Sequence, residues 1–203
     1  MILILFLGAP GTGKGSISQK LVQTKGFIHF STGKIFRALK DKNANSGSLI
    51  SDDLVNDLVI KELSKFKPDS KVILDGYPRT KVQAEFLNKH YPIKVIFQLS
   101  NLTDEYIIER LSNRLLCEKE DHSFNLIHHP PKVPGICDFD GSKLYKRPDD
   151  TGEIIQKRLD LYRQHTQPLI DYYKANSNVI EIDARKSIDQ IVKQVSDKLS
   201  ELE

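Results

Sequence analysis

Residues 2–7 form an unbroken apolar run, ILILFL, that stops at Gly8. Four further short runs follow at 27–31, 72–75, 94–99 and 179–183, each bounded by polar or turn residues. Continuous rather than alternating apolar runs mark strands covered on both faces. Between them the hydrophobic periodicity predicts helices over 14–24, 52–65, 81–89, 103–116, 152–174 and 187–199. Alternation of strand and helix predicts an α/β fold: a five-stranded parallel sheet, doubly wound, with helices on both faces.

Two stretches break the alternation. Residues 40–51 are polar and rich in Asn, Ser and Gly, and residues 117–148 carry Pro130, Pro131, Pro134, Gly135 and Gly141 with little periodicity. A segment of that length without structure of its own, inside a compact domain, is more often a functional lid than a plain connection. A length of 203 residues suits one packed core with insertions. A net charge of +3 is too small an excess to argue for a nucleic-acid partner. The opening apolar run lacks a basic leader and is too short for a membrane span, so a buried strand is expected there and no membrane partner. Two cysteines do not make a disulfide framework at this size. A cytoplasmic monomer is the default expectation.

Chemistry begins where the first strand ends, at Gly8-Ala9-Pro10-Gly11-Thr12-Gly13-Lys14-Gly15-Ser16. A triphosphate needs backbone N–H groups brought close with no side chain in the way, which glycines allow. It gains from the positive end of a helix dipole and from one lysine reaching the bridging phosphates. Gly11, Thr12, Gly13, Lys14, Gly15 and Ser16 are therefore candidate triphosphate ligands. After the third strand comes Asp75-Gly76-Tyr77-Pro78-Arg79-Thr80, then Gln83. A carboxylate at the end of a parallel strand lies where such sheets bind ligands, which places Asp75, with Ser16, to hold the water shell of Mg²⁺. Gln83 can offer a donor and an acceptor to a base edge. Arg110 and Arg114, four apart in a predicted helix, are expected on one helix face.

The Gly-Lys-Gly-Ser ending of the loop, Ser31-Thr32-Gly33-Lys34-Ile35-Phe36-Arg37 and Asp75–Thr80 resemble the adenylate kinase family of P-loop nucleoside monophosphate kinases. That resemblance implies reversible Mg²⁺-dependent transfer of a phosphoryl group from ATP to AMP. It implies an AMP site at Thr32, Arg37, Ser48, Leu49, Ile50, Gly76, Tyr77, Pro78, Arg79 and Gln83, with Lys34 where the family usually has Asp. Thr32 and Gln83 favour AMP over pyrimidine monophosphates. Six of the eight arginines fall on the family's phosphate-binding positions: Arg37, Arg79, Arg110, Arg114, Arg147 and Arg158. By resemblance Arg110 and Arg114 face ATP, while Arg147 and Arg158 reach both substrates. Lys14, Arg79, Arg114, Arg147 and Arg158 form the implied catalytic set. Ser123, Phe124 and Lys186 are the implied adenine contacts of the donor.

The same resemblance divides the chain into a core (1–30, 61–112 and 151–203), a monophosphate-binding flap (31–60) shorter than usual, and a long lid (113–150). In some long-lid relatives four lid cysteines hold Zn²⁺; here the positions read Cys117, Glu120, Cys137 and Asp140, with His122 or His128 nearby. A metal-free lid closed by hydrogen bonds is the preferred expectation, with zinc as the alternative. GTP as donor, and a nucleotide-binding regulatory protein with reduced turnover, are the alternative functions.

Overall fold

The computed structural model describes residues 1–38, 50–119 and 122–202, the side chains of Arg37 and Ala38 excepted. Five parallel strands make the main sheet: β1 (Ile2–Gly8), β2 (Ile28–Ser31), β3 (Lys71–Asp75), β4 (Ile93–Ser100) and β8 (Val179–Asp183), in the order β2-β3-β1-β4-β8. The most apolar run is the central strand. Leu3, Leu5 and Leu7 point into one layer, with Phe30, Val72, Leu74, Ile96, Leu169 and Tyr173. Ile4 and Phe6 point into the other, with Ile17, Leu21, Ile73, Phe97, Ile182 and Val195. Both faces of β1 are thus dry, which is why its sequence does not alternate.

The first layer is closed by α3 (Asp52–Leu63), α4 (Lys81–His90) and α7 (Gln167–Asn176), the second by α1 (Lys14–Lys25) and α8 (Ile188–Ser200). The short helix α2 (Thr32–Ala38) follows β2 with no linker. Helix α5 (Asp104–Ser112) packs on α6 (Gly152–Leu161) through Ile107, Leu111, Ile155 and Leu159. No helix among the described residues is long and apolar enough to cross a membrane.

Three expectations change. The helix expected over 103–116 stops at Ser112. Asn113 turns its side chain back onto the Glu109 carbonyl at 2.9 Å, and Asn125 donates to the Arg110 carbonyl at 2.9 Å. These bonds end the helix, and Arg114 starts β5 (Arg114–Cys117) instead. Arg110 and Arg114 therefore do not share a helix face. The helix expected over 152–174 is two helices joined by a π turn, Tyr162–Thr166, in which the Gln167 N–H reaches the Tyr162 carbonyl. Pro168 follows at once, and its missing N–H removes a regular helical bond there. Finally, the stretch 117–148 is not structureless. β5 pairs antiparallel with β6 (Ser123–Asn125) and β7 (Leu144–Tyr145) over a small core of Cys117, Phe124 and Cys137.

Candidate active site

The strand ends, the loop after β1 and the small sheet enclose one cavity of about 860 Å³, large enough for two nucleotides in an open cleft. Its floor is the loop between β1 and α1. Gly8 must be glycine: at φ 147° a Cβ there would lie 2.5 Å from the Leu99 carbonyl oxygen. Lys14, the first residue of α1, folds back so that Nζ donates to the carbonyls of Gly8 and Ala9, both at 2.8 Å. Burial and the nearby Arg79, Arg158 and Arg114, against the pull of Asp75, bring its pKa down to about 8. Gly11, Gly13, Gly15 and Ser16 line the cavity. Thr12 does not; its hydroxyl turns back to the Ala9 carbonyl at 2.9 Å.

Asp75 ends β3, in register with Phe6 of β1, and this pairing brings it beside the loop. A Cβ at Gly15 would lie 3.8 Å from its Oδ2. Burial opposes its ionisation, but a hydrogen bond with His29 and the charges of Lys14 and Arg79 hold it at about 2. His29 Nε2 is 3.2 Å from Asp75 Oδ2. That partner was missed in the sequence; the signal was a histidine inside an apolar strand, two residues before Ser31 and hence on the same face.

Beyond Asp75 the chain bends at Gly76 (φ 80°), where a Cβ would sit 3.0 Å from Arg79 and 3.1 Å from Thr32 Oγ1. Thr32 donates to the Gly76 carbonyl at 3.0 Å, and Arg79 Nε donates to the same oxygen at 2.9 Å. Thr32, Ile50, Gly76, Pro78, Arg79 and Gln83 thus line one end of the cavity. Tyr77, joined to Pro78 by a cis peptide, does not line it; its ring is buried in the core. Arg37 stands on α2, its side chain undescribed, and Ser48 and Leu49 lie outside the described residues.

Arg114, Arg147 and Arg158 converge on two adjacent carboxylates. Arg114 grips Asp150 through Nε (2.8 Å) and a terminal nitrogen (2.7 Å). Arg147 makes a two-pronged pair with Asp149, with Nε at 2.7 Å. Arg158 reaches Asp149 at 3.2 Å and Asp150 at 3.1 Å. Burial, with Arg147 close by, lowers Arg114 to about 10 against the support of Asp150. Three guanidinium groups are held together here only because two acids divide them. The acids had no role in the sequence reading, although Asp149-Asp150 two residues after Arg147 was the visible signal.

The other end of the cavity is lined by Tyr106, Arg110, Ser123, Phe124, His128, Lys186 and Ile188. Arg110 lies over the Tyr106 ring at 5.8 Å, and a Cβ at Gly13 would be 3.6 Å from its guanidinium. His128 packs against Tyr106, ring centres 5.4 Å apart, with Nε2 3.0 Å from Glu109. Tyr106 was not expected, and His128, offered by the sequence as a possible lid metal ligand, stands here on Tyr106 and Glu109 instead of with the thiols. Phe124 serves mainly as the centre of the small sheet's core.

Behind that sheet, Cys117, His122, Cys137 and Asp140 bring their ligand atoms within 4.8 Å of one another. The Cys117 thiol donates to Asp140 Oδ2 at 3.1 Å, and Ser142 donates to Asp140 Oδ1 through N (2.9 Å) and Oγ (2.8 Å). These bonds hold the Asp140 carboxyl below its ordinary range. Glu120 lies outside the described residues; among those described, His122 is the fourth member of the cluster.

Comparison with known proteins agrees with this geometry. Residues 6–178 match the sequence profile of adenylate kinase. The adenylate kinase of Mycoplasma mycoides subsp. mycoides SC is 39% identical over 212 residues, covering 97% of this chain and 98% of that protein. Those of Thermosipho melanesiensis (36%, covering 95% and 96%) and Thermotoga maritima (37%, covering 96% and 96%) match over 213 residues each. With a phosphate loop, a strand-end acid and a converged arginine set in one cleft, the chain belongs to the adenylate kinase family.

Proposed function

We propose that the protein transfers the γ-phosphoryl group of ATP to AMP, reversibly, giving two ADP. The observation that carries this reading is the single cleft, in which the loop around Lys14 and the Thr32–Gln83 end flank the same three arginines. Two nucleotides entering from opposite ends would meet there phosphate to phosphate.

Phosphoryl transfer asks the protein for position and charge stabilisation, with little covalent chemistry of its own. Lys14 would leave the Gly8 and Ala9 carbonyls for the donor's phosphates, and the amides of Gly11, Gly13, Gly15 and Ser16 would hold the rest. Arg79, with Arg37, would clamp the acceptor phosphate. Arg114, Arg147 and Arg158 would trade part of their pairing with Asp149 and Asp150 for oxygens of the moving group, a substitution that guanidinium forks suit. Magnesium, brought in with ATP, supplies positive charge to the phosphates. Asp75, already ionised, fits it, and with Ser16 would hold its water shell. The sheet β5–β7 is read as the closing lid of 113–150, which would exclude water and prevent hydrolysis. Residues 31–60 are read as the acceptor flap. Tyr106, Arg110, His128 and Lys186 are read as the donor-base slot, with ATP the donor rather than GTP.

The lid cluster suits a structural zinc ion. Two thiols, an imidazole and a carboxylate within 4.8 Å are a suitable donor set, and the imidazole is that of His122, one of the two histidines the sequence offered. The metal would pin β5 to the loop carrying Cys137 and Asp140. A soluble monomer is the form proposed. Calorimetric titration with a bisubstrate analogue, two adenosines joined through their phosphates, tests the two-ended cleft. One-to-one binding far tighter than that of ATP is expected, and binding no tighter than ATP would argue against it.

A further inference from the structure

We propose that Asp52, which does not line the cavity, is a positioning residue that sets which base the acceptor end takes by fixing the orientation of the Gln83 amide. The inference deepens the reading of that end as an AMP site and rests on it.

Gln83 is 2% exposed and lines the cavity beside Thr32 and Ile50. Its Oε1 accepts from the Arg79 N–H at 2.7 Å, and its Nε2 donates to Asp52 Oδ1 at 2.8 Å. Asp52 is not on the cavity wall. A side-chain amide can be turned over at little cost when its partners are ambivalent, but here neither is. The Arg79 amide can only donate, and an ionised carboxylate can only accept. Turning Gln83 over would set N–H against N–H and oxygen against oxygen.

One lone pair on Oε1 and one N–H on Nε2 are left for the base, in a fixed order. That order matches the amino group and ring nitrogen of a 6-aminopurine, a donor beside an acceptor. A 6-oxopurine presents an acceptor beside a donor and meets the amide the wrong way round. Arg79 alone leaves the Nε2 side unsupported; Asp52 completes the lock.

The lock is anchored in the fold. Asp52 opens α3, where the helix dipole favours its charge. Thr80, the N-cap of α4, donates to the same Asp52 oxygen at 3.1 Å and accepts from the Gln83 N–H at 3.2 Å. One turn along α3, Asn56 accepts from the buried Tyr77 hydroxyl at 2.7 Å, and that hydroxyl is also 3.2 Å from the Gln83 carbonyl. Asp52 and Asn56, four apart, thus hold the 77–83 segment at two points from one helix face.

The test compares AMP with inosine monophosphate, its 6-oxo counterpart, as acceptors for the wild type, Asp52→Ala, Asp52→Ser and Asp52→Asn. Serine is too short to reach Gln83 but keeps a polar side chain in the first turn of α3, behind the Ser51 N-cap, so it serves if the alanine variant does not fold. The ratio of kcat/KM for AMP to that for inosine monophosphate is expected to fall about tenfold or more in the alanine and serine variants. The loss should lie mainly in KM for AMP, with KM for ATP unchanged. Asparagine still offers an oxygen to Gln83 and Thr80 but can also turn its NH2 toward them, so it should restore only part of the ratio. A folded alanine or serine variant that keeps the wild-type ratio, or loses both acceptors equally, would overturn the proposal and leave Asp52 a structural residue. A wild type that uses neither acceptor would refute the acceptor reading itself, and this inference with it.

Discussion

Arg114 holds Asp150 in a two-pronged ion pair, Nε to Oδ2 at 2.8 Å and a terminal nitrogen to Oδ1 at 2.7 Å, with no part of Asp150 exposed to solvent. Removing one partner of a buried pair leaves an uncompensated charge. Asp150→Ala should therefore lower unfolding stability by about 3–5 kcal/mol, read by urea denaturation. Since Arg158 leans on the same carboxylate, kcat should fall by about tenfold or more as both guanidinium groups lose position. Wild-type stability in the variant would show that the pair contributes little.

Lys14 gives a pH signature. Its pKa, lowered from 10.5 to about 8 by burial and by neighbouring arginines, leaves it charged below pH 8 and neutral above in the free protein. The value of kcat/KM for ATP should therefore fall as pH rises through about 8, and Lys14→Met should abolish that inflection while lowering kcat/KM by about a hundredfold or more. Stability runs the other way. Between about 8 and 10.5 the unfolded chain binds the proton more tightly, so stability rises with pH there. Burial of the charged lysine is unfavourable below pH 8, and Lys14→Met should be at least as stable as the wild type at pH 7. A less stable methionine variant would contradict this.

At the donor-base end, Arg110→Ala and His128→Ala should each raise KM for ATP by about fivefold to thirtyfold, consistent with the loss of a stacking or cation–π contact. KM for AMP should stay within about twofold, because that end of the cleft is untouched. An equal rise for both substrates would place these residues elsewhere in the reaction.

The lid cluster calls for metal analysis. Protein purified without a histidine tag should carry about one zinc per chain, and Cys137→Ser should lose it. Removal by a strong chelator should lower the melting temperature. Metal-free protein whose melting temperature a chelator leaves alone would reject the site.

How far these features could be read in the sequence follows from what each depends on. The central strand and the loop after it were legible because the unbroken run 2–7 and the following Gly/Lys motif are local in the chain. Asp75 was legible because strand ends collect ligands. The end of α5 was not: Asn113 bonds back to the Glu109 carbonyl one turn before it and Asn125 reaches the Arg110 carbonyl from β6, and helical periodicity carries no trace of either. The break at Tyr162–Thr166 could have been suspected from Pro168, which follows it directly. Partners such as His29, His128 and Asp52 come from elements far apart in sequence, so only the fold could bring them to Asp75, Tyr106 and Gln83. In the lid, the sequence offered His122 and His128 alike, and only the fold separates them: His122 faces the Cys137 thiol, while His128 packs on Tyr106.

On the proposed reading, one cleft brings ATP and AMP together phosphate to phosphate. Its most direct measurement is ADP formation by the purified protein from ATP and AMP with Mg²⁺, in a coupled assay run with and without EDTA. Two ADP for each AMP consumed, turnover lost with EDTA, and little product when CMP or UMP replaces AMP are expected. Folded protein that binds ATP but forms no ADP from AMP would contradict that reading.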